Sequence, residues 1–193
     1  MKTILVTGFE PFGGSPINAS WESVKDLNGI TVGDAKVYVW KLPVIWDGTA
    51  KVLQGLIDAY RPELVINVGE DGGANELHLE KQANNATDSM PDNMGREPNH
   101  TWIIENGPDK FENKMGIDNI HDQLIRDGFD NQISTGIGEY LCNYVSYNSY
   151  YYLSKEYPNT PTMFIHVPTK KIEYETYSKA IKKVIELAIE KVS

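Results

Sequence analysis

Short apolar runs alternate with longer amphipathic stretches along this chain, the pattern of a β-sheet whose strands are joined by helices. The strand candidates are Lys2–Thr7, Lys36–Leu42, Leu64–Val68, Gln132–Ser134 and Thr162–Val167. A first helix is predicted from Ser20, with Glu22 early in it, to a stop at Asn28-Gly29. A second runs from Asp47, read as its N-cap, to Tyr60, because Val52, Leu53, Leu56, Ile57 and Tyr60 recur at helical spacing. Pro62 then blocks continuation and Leu64 opens a strand. A third helix is predicted over Ile117–Arg126. A fourth contains or just precedes Cys142 and runs toward Lys155, and a last spans about Glu173 to Val192.

The segment 69–108 breaks this rhythm. It is polar and rich in Asn, Gly, Pro and Asp, and it reads as a long functional loop. Within it the sequence offers a short hairpin around His78–Ala83 and an edge strand at Trp102-Ile103-Ile104. With no repeat and no clear linker, residues 1–193 read as one catalytic domain carrying that loop.

Charge and cysteine usage narrow the function. The formal charge of −9 at pH 7 repels phosphate backbones and anionic lipid, so neither nucleic acid nor membrane is an expected partner. Met1 opens directly on a strand pattern, which predicts no secretory leader. A single cysteine precludes an internal disulfide and a multi-cysteine metal site, and a free thiol fits a reducing, cytoplasmic setting. No metal and no cofactor is expected.

Three sequence points fall on one rim of the predicted sheet: Gly8 ends the first strand, Gly69 the third and His166 the last. In open α/β sheets, ligands bind at the carboxyl ends of the strands. Cys142 follows the glycine-bearing loop Ser134–Gly138 at a helix start, a placement that favours thiolate and supplies backbone N–H donors. A free cysteine is more often a small buried core residue. His166 closes an apolar strand and could serve as a base, or could be a hydrogen-bonded strand end. Glu80 could orient an imidazole, yet residue type alone does not select it among the acids. Phe9-Glu10-Pro11-Phe12-Gly13-Gly14 is not a phosphate loop, because no Gly-Lys-Ser/Thr follows. It suits the wall of a small apolar pocket, or equally a turn plugging the sheet edge. Tyr140 and Leu141, beside the thiol, are candidate substrate contacts.

These motifs resemble the pyroglutamyl peptidase I family over nearly the full length. The resemblance rests on Val6–Gly14 with Asn18-Ala19-Ser20-Trp21, on Leu42-Pro43-Val44 and Val65–Gly69, and on Pro91-Asp92-Asn93, Tyr140–Asn143 and Phe164–Pro168. It implies a cysteine peptidase acting on peptides with an N-terminal pyroglutamyl residue, with Cys142 as nucleophile, His166 as base and Glu80 as the orienting carboxylate. It implies Phe9 and Phe12 as pocket residues, an α/β/α sandwich around a twisted, mostly parallel sheet, and either a monomer or a homo-oligomer. The chain departs from the family's bacterial pattern at Ala74 and Ser89, where arginines are usual. Those departures leave a catalytically weak or inactive small-ligand-binding member of the same fold as the alternative.

Overall fold

The computed structural model describes residues 1–170 and 173–192. Strands β1 (Lys2–Phe9), β2 (Thr31–Val32), β3 (Ala35–Leu42), β4 (Leu64–Asp71), β5 (Leu77–Glu80), β8 (Asn131–Ser134) and β9 (Thr162–Pro168) form one sheet. Their order is β2-β3-β1-β4-β9-β5-β8. Neighbouring strands run parallel except at β2–β3 and β5–β9. A separate two-stranded sheet pairs β6 (Gln82–Asn84) with β7 (Lys110–Glu112).

Both faces of the central strands are buried, which is why they read as continuous apolar runs. Ile4, Val6, Ile66, Val68, Ile165 and Val167 face a core shared with helices α1 (Ala19–Val24), α3 (Ile117–Arg126) and α5 (Tyr174–Ile189). Leu5, Val65 and Phe164 face the opposite core, beneath helices α2 (Gly48–Tyr60) and α4 (Leu141–Glu156). The architecture is therefore three layers, α/β/α, around a mostly parallel mixed sheet. Among the described residues no helix is long and apolar enough to cross a membrane.

The structure departs from the sequence reading in several places. β5 does not fold into a hairpin over His78–Ala83 but joins the main sheet, antiparallel to β9 and parallel to β8. Residues 102–104 form no strand; the backbone N–H groups of Ile103 and Ile104 instead donate to Asn85 Oδ1 at 2.8 and 2.9 Å. The 69–108 segment is thus partly strand and partly a packed, side-chain-braced excursion. Asp47 stands at the N-cap of α2 but in the left-handed region, with no side-chain cap bond, while Thr49 Oγ1 accepts from Ile45 N–H at 3.2 Å. At α1 the side chain of Asn18 caps, accepting from Ser20 N–H at 3.0 Å.

Candidate active site

The carboxyl rim of the sheet is where the chemistry gathers. β9 delivers His166 and β5 delivers Glu80. The register pairs Glu80 with Phe164 and His78 with His166, so all four side chains leave the sheet on the α4 face. Glu80 Oε1 lies 2.8 Å from His166 Nδ1. Both groups are buried, at 1 % and 6 % side-chain exposure.

Cys142 is the second residue of α4 and is partly exposed. It sits against β4 where that strand carries no side chain: a methyl group added at Gly69 would lie 2.6 Å from Cys142 Sγ and 2.8 Å from Phe164 Cζ. Gly69 is therefore the seat of the thiol, and Gly69 pairs in register with His166. The imidazole receives opposing influences. Burial, the largest, lowers its pKa; the charge of Cys142, a hydrogen bond to Cys142, and the hydrogen bond and charge of Glu80 together raise it to about 10. With Nδ1 turned to Glu80, Nε2 is left for the sulfur. The arrangement is a buried carboxylate, an imidazole held protonated, and a thiol at the start of a helix whose first-turn N–H groups lack intrahelical acceptors.

Phe9, Phe12, Tyr140 and Leu141 converge with Cys142 on one small pocket, completed by Asn18, Val44 and Glu70. Its free volume is about 20 Å³, room for roughly one water. Phe9 is held by its N–H donating to Ser20 Oγ at 2.9 Å. Phe12 stacks obliquely on Tyr140, whose ring meets Trp46 edge-on at 5.5 Å. Burial raises the Glu70 pKa, against the lowering effect of the Ala19 N–H that donates to it at 2.6 Å.

Sequence reasoning missed three of these wall residues and all of their bracing. Glu10 Oε1 accepts from Val44 N–H and from Asn93 Nδ2, tying the Phe9–Phe12 loop to the chain after β3 and to the segment after Pro91. Asp92 is buried and accepts from the N–H groups of Trp46, Met94 and Arg96 at 2.8 to 3.0 Å. Tyr140 Oη donates to Pro91 O. The signal was present in Pro91-Asp92-Asn93, where Asx residues beside a proline mark a side-chain-organised turn.

Asn143, next to the thiol and fully buried, accepts from Asn84 N–H and donates to Asn84 O and Ala86 O at 2.8 to 2.9 Å. It clamps the start of α4 to β6. Asn143→Ala leaves three partly buried backbone groups of Asn84 and Ala86 without this partner and is expected to cost on the order of 3 kcal/mol, read as a lower urea midpoint. A loss under about 1 kcal/mol would remove this clamp from the account.

Ala74 is buried in the turn after β4, its N–H donating to Asp71 O, and Ser89 is exposed; neither lines the pocket. A larger cavity of about 590 Å³, bounded by Phe111, Tyr150, Pro161 and Ala188, lies at the opposite, amino rim. It is about 18 Å along α4 from Cys142 and takes no part in the chemistry described. Among the described residues no cluster of three or more His, Cys, Asp or Glu could hold a metal.

The pyroglutamyl peptidase family model matches residues 2–191. The pyrrolidone-carboxylate peptidase of Brevibacillus brevis is 37 % identical over 87 % of this chain and 79 % of its own length. That of Pyrococcus furiosus is 36 % identical over 97 % of this chain and 98 % of its own. Among solved structures, a variant of the pyrrolidone carboxyl peptidase of P. furiosus superposes with a TM-score of 0.94 at 33 % identity, covering 99 % of this chain and all of that one. The pyroglutamyl peptidase I of Bacillus amyloliquefaciens gives 0.93 at 29 % identity, covering 98 % of each chain. On these matches the chain belongs to the pyroglutamyl peptidase family.

Proposed function

We propose that this protein is a cysteine peptidase that removes an N-terminal pyroglutamyl residue from peptides, with Cys142 as nucleophile, His166 as proton carrier and Glu80 as its orienting carboxylate. The observation that carries this reading is the line Glu80–His166–Cys142 beside a pocket walled by Phe9, Phe12, Tyr140 and Leu141. Pyroglutamate is a lactam with no charged amine, so apolar walls and a few amide hydrogen bonds suffice to hold it. The thiolate attacks the amide carbon after the ring, and first-turn N–H groups of α4 receive the oxyanion. His166 gives its proton to the leaving nitrogen as the C–N bond breaks, leaving a thioester on Cys142. The imidazole then takes a proton from water, which attacks the thioester and frees pyroglutamate and the thiolate.

The pocket must widen to take the ring. Phe12 is only half-buried and is followed by Gly13 and Gly14 at φ of 62° and 79°. That loop is the wall with room to move. Selectivity tests the pocket: the coumarin amide of pyroglutamate is expected to be cleaved and that of proline, with a charged amine and no lactam carbonyl, to be ignored. Equal cleavage of the two would contradict the reading.

Two further predictions follow from the geometry. Gly69→Ala drives a methyl group into the sulfur and into Phe164, and the displaced thiol is expected to lower kcat/KM about 10²-fold. Unchanged kinetics would show that the thiol is not seated there. The raised His166 pKa means that the acid is present through the neutral range and lost as pH rises through about 10. Because that pKa lies above the ordinary 6.5, stability from the protonated imidazole is complete below 6.5 and fades toward about 10. The pH profile of kcat/KM is expected to hold through neutrality and fall on the alkaline side. A fall already complete at neutral pH would contradict the assignment.

A further inference from the structure

The order of strands gives the cleft two ends. The lactam pocket lies toward β1 and β3, the thiol stands over Gly69 on β4, and the imidazole follows on β9. The scissile bond sits over the thiol, so the departing peptide extends the other way, over β5 and β8. On that side the same face of the sheet carries His78 and Gln132, and Asp71 reaches toward them from the end of β4; the mechanism uses none of the three. His78 pairs in register with His166 and with Gln132 on β8. Asp71 lies two residues beyond Gly69 on the same face of β4.

These three groups are organised. Asp71 Oδ1 accepts from Gly73 N–H at 2.8 Å, which fixes the carboxylate, and Oδ2 lies 3.7 Å from His78 Nδ1. Because β4 and β5 flank β9, the Asp71–His78 contact crosses β9 at the level of His166 and just past it. Gln132 Nε2 meets His78 Nε2. The side chains of Asp71 and His78 are 36 % and 14 % exposed, so the group opens to the cleft while staying partly desolvated. Among the described residues His78 is the one basic side chain within ion-pair distance of Asp71.

Resting on the peptidase reading above, we propose that Asp71, His78 and Gln132 form the subsite for the residue that follows pyroglutamate. The subsite favours a hydrogen-bond-donating or basic side chain at that position and disfavours an acidic one. Asp71 Oδ2 is the acceptor, and the net charge of −9 adds a background of the same sign. Attraction of a lysine and repulsion of a glutamate by one partly exposed carboxylate combine to a preference on the order of tenfold in kcat/KM.

The test uses two peptides that are identical and uncharged except at the second residue, pyroglutamyl-Lys and pyroglutamyl-Glu, with the ratio of kcat/KM read within each enzyme so that any general loss cancels. Wild type is expected to favour lysine about tenfold, at low salt more than at high. Asp71→Asn is expected to bring the ratio near one. His78→Ala removes the imidazole that competes for Oδ2 and is expected to raise the ratio, an opposite movement that a merely structural role does not produce. A wild-type ratio near one, or a ratio kept in Asp71→Asn, overturns the subsite while leaving the peptidase reading intact. Failure of wild type to cleave either peptide or the coumarin amide overturns the peptidase reading and the subsite with it.

Discussion

Cys142→Ala is expected to abolish turnover of a pyroglutamyl amide, by on the order of 10³-fold or more in kcat, with little change in stability. The two effects separate because of where the side chain sits. Cys142 is partly exposed at a helix start, against Gly69 and Phe164. Removing one sulfur there leaves a small gap that costs on the order of 1 kcal/mol. The chemical loss is far larger, since no other described cysteine exists to form the thioester. Cys142→Ser should fare little better, because a hydroxyl does not supply the negative charge that, with Glu80, raises the imidazole against its burial, so the ion pair is lost and the oxygen stays protonated. In the proposed mechanism Cys142 and His166 act as one unit, so His166→Ala added to Cys142→Ala should cost almost nothing more. Steady-state assays on the two single variants and the double variant check this. A double variant much slower than either single one would mean that the two residues work independently.

Glu80→Gln is the second large effect, with kcat expected to fall on the order of 10³- to 10⁴-fold while the fold persists. The substitution keeps the size of the side chain and the contact at His166 Nδ1. It removes the negative charge that helps hold the imidazole protonated at 5 % exposure. An amide can also donate to Nδ1, which selects the tautomer with its proton on the wrong nitrogen. The loss should fall on kcat rather than KM, because Glu80 does not line the pocket. It should also move the alkaline limb of the pH profile downward, since one of the influences raising the His166 pKa is gone. Unchanged kcat in a folded variant would remove Glu80 from the catalytic unit.

How much of this was legible in the sequence depended on whether a strand carried function. β1, β4 and β9 were legible because both of their faces are buried, so their apolar residues run without interruption, and β3 because Ala35, Val37 and Val39 alternate with less buried residues. β5 was not, because Leu77-His78-Leu79-Glu80 places two polar residues on its inward face, and a charged residue there reads as loop. The two-residue β2 is too short for any pattern to register. Cys142 and His166 were visible as candidates because each stands at the end of a recognisable element. Glu80 was not selectable by type or spacing: its nearness to His166 is set by an antiparallel register across 86 residues of chain. Family resemblance supplied what local physics lacked. Pro91-Asp92-Asn93 marks a turn, but the partners through which Asp92, Asn93 and Glu10 brace the pocket were hidden for a similar reason, since those side-chain bonds join segments far apart in sequence.

The central claim is that a pyroglutamyl group passes through a thioester on Cys142, and the intact mass of acid-quenched enzyme during turnover of a pyroglutamyl coumarin amide tests it most directly. The predicted result is a population heavier by one pyroglutamyl acyl group, with the added mass on the peptide containing Cys142 and lost once substrate is spent. Turnover with no such adduct in rapidly quenched samples, or with the adduct on another residue, would contradict the account.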